Sequence, residues 1–242
     1  MMRRMISLIL IAAVCVLNVV FLAGYIDFFY VQNGLHVCIS DYLMISTVPA
    51  YADLRVFIPF LIILVLEEKN RQTYVFVFRY SSRKRLAGHI LRRSLCRAVF
   101  CSVAWTAAAG IGGALRNLPV MNWSESGSVY AGLVRNTLSS GGIVPVVALL
   151  CVWNGVSKLL LYELFYEILF RVTRYTALVW VPAGVNAGIG YMMYLANRHW
   201  FYILYERSFW VSAFWQYLFL SAVCVALYGI LYAVICKGDV RK

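Results

Sequence analysis

The sequence predicts an all-α integral membrane protein with six transmembrane helices and both termini in the cytoplasm. Of its 242 residues, 63% are hydrophobic and only 13% are charged, whereas charged residues make up about 25% of a typical soluble domain. Six stretches are apolar over close to the roughly 20 residues that a helix needs to cross a bilayer. The basic residues lie mainly between alternate stretches, which sets the predicted orientation.

The six predicted spans form a single transmembrane domain over the whole chain, residues 1–242. The first is predicted to be a retained helix, because its apolar run is longer than the roughly 7–15 residues of a signal peptide. The second is the weakest, because Asp53 and Arg55 shorten its apolar core, and Pro59 predicts a kink. The spans comprise residues 6–24, 50–66, 94–115, 143–161, 177–195 and 211–236.

The orientation follows from the distribution of the 22 lysines and arginines. With both termini inside, the cytoplasmic segments hold most of them, as the positive-inside rule requires. Topology therefore explains the net charge of +12, and no nucleic-acid partner is expected. The cytoplasmic bases are Arg3, Arg4, Lys69, Arg71, Arg79, Arg83, Lys84, Arg85, Arg92, Arg93, Arg97, Arg171, Arg174, Lys237, Arg241 and Lys242.

The sequence contains none of the common motifs for catalysis or metal binding. Its three histidines form no HExxH motif, its seven cysteines form no CxxC pair, and no Walker A phosphate loop occurs. We therefore expect no catalytic residue, no metal site and no cofactor bound by this chain. Cys38 is predicted to lie in an external loop, and most other cysteines are predicted to be buried as small apolar side chains.

A few polar and small residues within the spans are candidates for a function. Lys158 is predicted either to reach the membrane interface or to line a substrate pathway, and Asn186 is a second pathway candidate. Glu163, Glu167 and Arg171 repeat at four-residue spacing, which predicts that the fourth helix extends into the cytoplasm with these residues on its surface. Packing within the chain, a dimer seam and a translocation path are all open for the small residues Ala104, Ala108, Gly112, Gly184 and Gly188.

Residues 197–210, before the last span, are rich in aromatic side chains. Tryptophan and tyrosine at this position predict an aromatic belt at the membrane interface. A short re-entrant helix that lines an exit path is the alternative.

The predicted cytoplasmic loop at residues 67–93 carries more charge than a topology signal needs. It has eight bases and two acids, a net charge of +6. Glu67 and Glu68 leave the second span, the apolar run Tyr74–Phe78 follows, and the basic string Arg79-Tyr80-Ser81-Ser82-Arg83-Lys84-Arg85 leads towards the third span. Five consecutive apolar residues outside the membrane need a surface to bury against, either the bilayer or a protein partner.

This layout resembles the ABC-transporter type 2 permease family, in its small bacterial six-span members. Those permeases share an acidic residue that leaves the second span, a short coupling helix, and an R-Y-x-S-R string that enters the third span. Glu67, Glu68 and Arg79–Arg83 match that pattern here. The chain length, the number of spans and the long first outer loop also agree.

The resemblance implies a non-catalytic permease subunit of an ABC exporter in the bacterial plasma membrane, moving a peptide antibiotic, a drug or a lipid. It implies a separate cytoplasmic ATPase that binds ATP and magnesium, and a second permease copy or paralogue in the bilayer. The alternative is an ATPase-independent immunity or sensor-like binding protein. The residues implied for ATPase coupling are Glu67, Glu68, Thr73, Tyr74, Phe76, Phe78, Arg79 and Arg83.

Overall fold

The computed structural model describes residues 2–47, 53–69, 82–134, 144–173 and 207–237. Within these ranges all regular structure is helical, and an isolated bridge between His36 and Ser128 belongs to no strand. The predicted span at 177–195, most of the aromatic segment and loop residues 70–81 lie outside the described residues. The helices are α1 (Met2–Phe29), α2 (Ile39–Ile45), α3 (Ile58–Lys69), α4 (Arg83–Leu115), α5 (Val129–Val134), α6 (Val144–Thr173) and α7 (Arg207–Lys237).

Four of the described helices, α1, α4, α6 and α7, are long and apolar enough to cross a membrane. They contain the predicted spans 6–24, 94–115 and 211–236 and, from its second residue onward, the span 143–161. Apolar side chains remain exposed along them, as Ile9 and Val20 of α1 do at 63% and 66%, which suits a surface that faces lipid. The chain is therefore an α-helical membrane protein.

The predicted second span is the shorter segment made of a π-helical turn at Asp53–Phe57 and helix α3. The described part of this segment runs from Asp53 to Lys69 and overlaps the predicted span 50–66 from residue 53 onward. This segment does not belong to the four long apolar helices. The count of six spans and the cytoplasmic location of both termini stay predictions.

Small residues bring α4 close to its neighbours on two sides. A β-carbon at Gly112 would lie 2.5 Å from Val19 Cγ1 of α1, and one at Gly155 of α6 would lie 2.7 Å from Ser102 Oγ of α4. Ala104 and Ala108 are partly buried against the same core. Ala104, Ala108 and Gly112 therefore pack within this chain, where close backbone approach lets apolar helices associate.

A hydrogen bond between α1 and the π-helical turn compensates for the backbone N–H that Pro59 lacks. In a regular helix the N–H of residue 59 would donate to the carbonyl of Arg55, but proline has no N–H. The side chain of Asn18, near the middle of α1, supplies the missing donor: its Nδ2 lies 2.9 Å from the Arg55 carbonyl oxygen. The π-helical turn before Pro59 is thus held to α1 by a hydrogen bond that replaces a lost backbone bond.

We expect Asn18→Leu to destabilise the chain by about 1–3 kcal/mol, because the Arg55 carbonyl then loses the Asn18 donor. Adding Pro59→Ala to that variant restores a backbone donor at residue 59 and recovers most of the loss. The measurement is unfolding in mixed detergent micelles for the wild type, both single variants and the double variant. Additive losses in the double variant would contradict the assignment of Asn18 to the carbonyl freed by Pro59.

Two segments that lie between predicted spans pack against each other and form a cap, which we define as residues 30–47 and 116–132. The His36 N–H donates to the Gly127 carbonyl at 2.7 Å, and the Val129 N–H donates to the His36 carbonyl at 3.1 Å. Helix α2 is buried beneath this contact, and the Leu43 carbonyl accepts a hydrogen bond from Cys151 Sγ of α6 at 3.4 Å. The cap therefore packs on α4 and α6 at the end of the bundle at which α4 terminates.

Asp41 and Trp123 lie at the centre of the cap, and both are fully buried. Trp123 Nε1 donates to Asp41 Oδ1 at 2.9 Å, and the Cys38 N–H donates to Asp41 Oδ2 at 2.8 Å. The indole ring also stacks on Tyr130 with 5.0 Å between ring centroids. A buried carboxylate is tolerated only with such donors, so this pair fixes how the two segments fit together.

Cys38 lies in the cap, and its thiol is completely buried. Burial, together with the Asp41 carboxylate, raises the pKa of this thiol from 9.0 to about 12. The unfolded chain therefore releases this proton first as the pH rises. The contribution of Cys38 to stability is complete below about pH 9 and is lost as the pH approaches 12.

We expect Cys38 to resist maleimide in the folded chain at about pH 8, because the thiolate is the reactive form and the thiol is buried. In the chain unfolded by sodium dodecyl sulfate the same cysteine reacts freely. Mass spectrometry of the peptide that contains Cys38 measures both. Equal labelling before and after unfolding would contradict the buried position.

Candidate functional site

The start of α4 and the ends of α6 and α7 meet at the end of the bundle opposite the cap. We call this the basic end, because α4 begins there with Arg83, Lys84 and Arg85. Arg83 Nη1 donates to the Cys236 carbonyl oxygen at 2.7 Å, and a cation at a helix C-terminus is favourable. An apolar cluster buries the three helix ends against one another and comprises Leu86, Ala87, Ile90, Leu164, Cys224, Leu231 and Ile235.

Ion pairs join α4 to α6 beside this cluster. Arg97 Nη2 lies 2.9 Å from Glu163 Oε2, and Arg93 Nη2 lies 3.4 Å from Glu167 Oε1. Arg171 contacts Glu167 from one turn further along α6. We call these five residues the charge ladder. Because α4 and α6 are antiparallel, Arg93, four residues before Arg97 on α4, pairs with Glu167, four residues after Glu163 on α6.

The carboxylates of the charge ladder are buried. Glu163 is 3% exposed and Glu167 is 1% exposed, while the Arg93 and Arg97 side chains are 13% and 17% exposed. The prediction that Glu163 and Glu167 lie on the helix surface is therefore wrong, although the pair between Glu167 and Arg171 is present. Helix α4 covers these acids because it supplies arginines at the matching spacing.

The charge ladder lies one membrane thickness away from the cap end of both helices. The rise from Arg97 to Leu115 is about 27 Å, and the rise from Val144 to Glu163 is about 28 Å. Both distances are close to the roughly 30 Å of the hydrocarbon core. We therefore expect the ion pairs to lie near the membrane surface, with the first turns of α4 and the last turns of α6 beyond it.

Polar groups also join α6 to α7 nearer the middle of the helices. Trp153 Nε1 donates to Ser221 Oγ at 3.0 Å, and Cys224 Sγ donates to the Ser157 carbonyl at 3.4 Å. Lys158 lies on α6 with its Nζ 5.9 Å from the centre of the Phe57 ring, within reach of a cation–π contact. The structure thus places the amine of Lys158 against the π-helical turn.

Some of the other predicted site residues lie within the described ranges, and the rest lie outside them. Glu67 and Glu68 are in the last turn of α3, and Arg83 is the first residue of α4. The remaining residues predicted for coupling, for helix packing or for the pathway lie outside the described residues and are Thr73, Tyr74, Phe76, Phe78, Arg79, Gly184, Asn186 and Gly188.

Sequence reasoning missed Arg93 and Arg97 as structural partners, since both were counted only as topology signals. The signal that could have found them is the equal spacing of two bases and two acids on consecutive antiparallel helices. In chemical terms the ladder joins helices and offers no metal site. Among the described residues no group of three histidines, cysteines or acids could hold a metal ion.

Comparison with known proteins identified no relative of the chain. No protein-family model, no curated protein and no solved structure matches the chain.

Proposed function

We propose that this chain is the transmembrane permease subunit of an ABC exporter that works with a separate ATPase subunit. The observation that supports this most is the order of features along the chain between α3 and α4. Glu67 and Glu68 end α3, residues 70–81 carry the apolar and basic pattern of a coupling segment, and Arg83 begins α4. The segment that resembles a coupling helix therefore leads directly into the helix that carries the ion pairs.

The charge ladder gives this proposal a mechanical basis. A motor that moves residues 70–81 would pull on the start of α4. Because Arg93 and Arg97 are paired with buried acids of α6, the two helices would move together. Arg83 extends the same connection to the end of α7 through the Cys236 carbonyl. Movement at one loop would thus reach three membrane helices at once.

On this proposal the basic end faces the cytoplasm of a bacterium, and the cap faces outward across the plasma membrane. ATP and magnesium bind in the partner ATPase. A second permease copy or paralogue completes the complex, and Lys158 and Asn186 contribute to the pathway. The cargo is a peptide antibiotic, a drug or a lipid. The cap packs on the outer ends of α4 and α6 in this arrangement and would act as a barrier between the pathway and the exterior.

The proposal predicts that the affinity-tagged chain retains an ATPase with a P-loop when it is purified from its native membrane. Replacing Tyr74–Phe78 with serine and asparagine should reduce the retained ATPase by about thirtyfold, the effect of losing roughly 2 kcal/mol at an apolar interface centre. Quantitative mass spectrometry of the purified sample is the measurement.

A matched control changes exposed apolar residues of the cap. Val31→Ser with Val120→Ser alters the cap, where these side chains are 46% and 56% exposed, and should leave the retained ATPase unchanged. A chain that purifies without any ATPase, or a loop variant equal to the control, would favour the ATPase-independent immunity or sensor-like protein.

A further inference from the structure

Helix α2 belongs to the part of the chain that the sequence predicts as the first outer loop. Its residues from Ser40 to Ile45 are nevertheless all buried, and none of them is more than 5% exposed. A loop that runs over the protein surface would keep one side in contact with water. The helix is instead enclosed on several sides, and it packs on both α4 and α6.

Two glycines of α4 define the direction in which α2 runs. A β-carbon at Gly113 would lie 3.2 Å from Ile39 Cγ1, at the start of α2. A β-carbon at Gly110 would lie 3.8 Å from Leu43 Cδ2, one turn later in α2. As α2 advances, its contacts therefore move back along α4, away from the end of that helix. The two helices are antiparallel.

The residue that follows α2 contacts α4 still further from its end. Trp105 Nε1 donates to the Ser46 carbonyl at 3.4 Å. The rise from Ile39 to Ser46 is about 10 Å, which agrees with the rise of about 12 Å from Gly113 back to Trp105. Trp105 precedes the end of α4 at Leu115 by about 15 Å, half of the roughly 30 Å of the hydrocarbon core. The end of α2 is thus level with the middle of the predicted span 94–115.

Helix α2 also separates α4 from α6 in this half of the bundle. Nearer the basic end the two long helices touch directly, since a β-carbon at Gly155 of α6 would lie 2.7 Å from Ser102 Oγ of α4. Towards the end of α4, Leu43 lies between them. Its side chain faces Gly110, and its carbonyl accepts a hydrogen bond from Cys151 Sγ of α6 at 3.4 Å. The short helix therefore forms a wedge between α4 and α6.

We propose that α2 is a re-entrant helix, which enters the membrane from the side where α4 ends and stops near the middle of the hydrocarbon core. Lipid cannot donate to the free carbonyls at the end of a helix, so such a segment is tolerated only inside the protein. Trp105 and Cys151 meet this requirement, because their side chains donate to the carbonyls of Ser46 and Leu43. This position of α2 is independent of the proposed transport function.

Cysteine crosslinking tests the depth of α2. Ile39→Cys with Gly113→Cys should form a disulfide on mild oxidation, because a β-carbon at Gly113 lies 3.4 Å from Ile39 Cα. Leu43→Cys with Gly110→Cys should be joined by a short bis-methanethiosulfonate. Leu43→Cys with Asn117→Cys, about 10 Å nearer the exterior, should not. A product with residue 117, or none with residue 110 in a chain that unfolds like the wild type, would overturn the proposal.

Amide hydrogen exchange provides a second measurement that needs no added cysteine. In the wild type, residues 40–46 should exchange as slowly as the middle of α4. Trp105→Phe removes the donor to Ser46 and should speed exchange at residues 44–47 about tenfold, as expected for one lost hydrogen bond. Trp153→Phe removes a comparable donor, to Ser221 of α7, and should leave that exchange unchanged. Fast exchange in the wild type, or equal effects of the two variants, would contradict a re-entrant α2.

Discussion

Arg97→Leu is expected to destabilise the chain by about 3–5 kcal/mol, because it leaves the buried Glu163 carboxylate without its partner. Glu163 is only 3% exposed, so water cannot replace the guanidinium. The unfolding free energy in a neutral detergent, titrated with sodium dodecyl sulfate, measures the loss. We expect Arg97 to lie near the membrane surface, so the variant should still insert into the membrane.

Two further variants make this prediction specific. Arg92→Leu changes an exposed arginine one turn and a half away and should shift stability by no more than about 0.5 kcal/mol. The double variant Arg97→Leu with Glu163→Leu removes both charges and should regain most of the lost stability, because apolar replacement of a complete buried pair is often neutral or stabilising. If Arg97→Leu were no worse than Arg92→Leu, the ion pair would not join the helices as described.

Trp123→Ala is expected to cost about 3–5 kcal/mol in the cap, because a fully buried tryptophan is replaced by a cavity. The change also removes the donor that Asp41 Oδ1 accepts from at 2.9 Å. Amide hydrogen exchange over residues 30–47 and 116–132 should rise, while exchange in α4 and α6 at the basic end should remain slow. That contrast would show that the cap unfolds locally.

Trp123→Phe and Val120→Ala serve as the matched variants. Phenylalanine keeps most of the ring and loses the N–H, so its cost should be about 1–3 kcal/mol, the penalty for a buried acceptor left without a donor. Val120 is exposed on the cap, so Val120→Ala should change the stability of the cap very little. Equal exchange in Trp123→Ala and Val120→Ala would contradict the central position of the indole.

The membrane helices could be predicted from the sequence because length and apolarity suffice to define them. Residues 94–115 were predicted as a span, and α4 indeed contains them, but the helix begins at Arg83. The extra turns are basic on one side and apolar on the other, so a search for uniformly apolar stretches ends too late. Leu86 and Ile90 are buried by α6 and α7, which only the packed structure reveals.

The cap could not be predicted because its stability depends on contacts between distant segments. Nothing in the sequence around Asp41 or Trp123 indicates that they pair. Their contact forms only when both segments of the cap are folded. The charge ladder is an intermediate case. Its spacing is visible in the sequence, but a repeat of acids and bases along one helix also fits an exposed surface, and burial decided between the two.

Photocrosslinking from the loop that joins α3 to α4 tests the proposed function most directly. A benzoylphenylalanine in place of Phe76, irradiated in the native membrane, should form a product that contains a P-loop ATPase. The same group in place of Val120, which is exposed on the cap, should not. Products between Phe76 and lipid alone, or no protein product at that position, would contradict a permease driven by an ATPase.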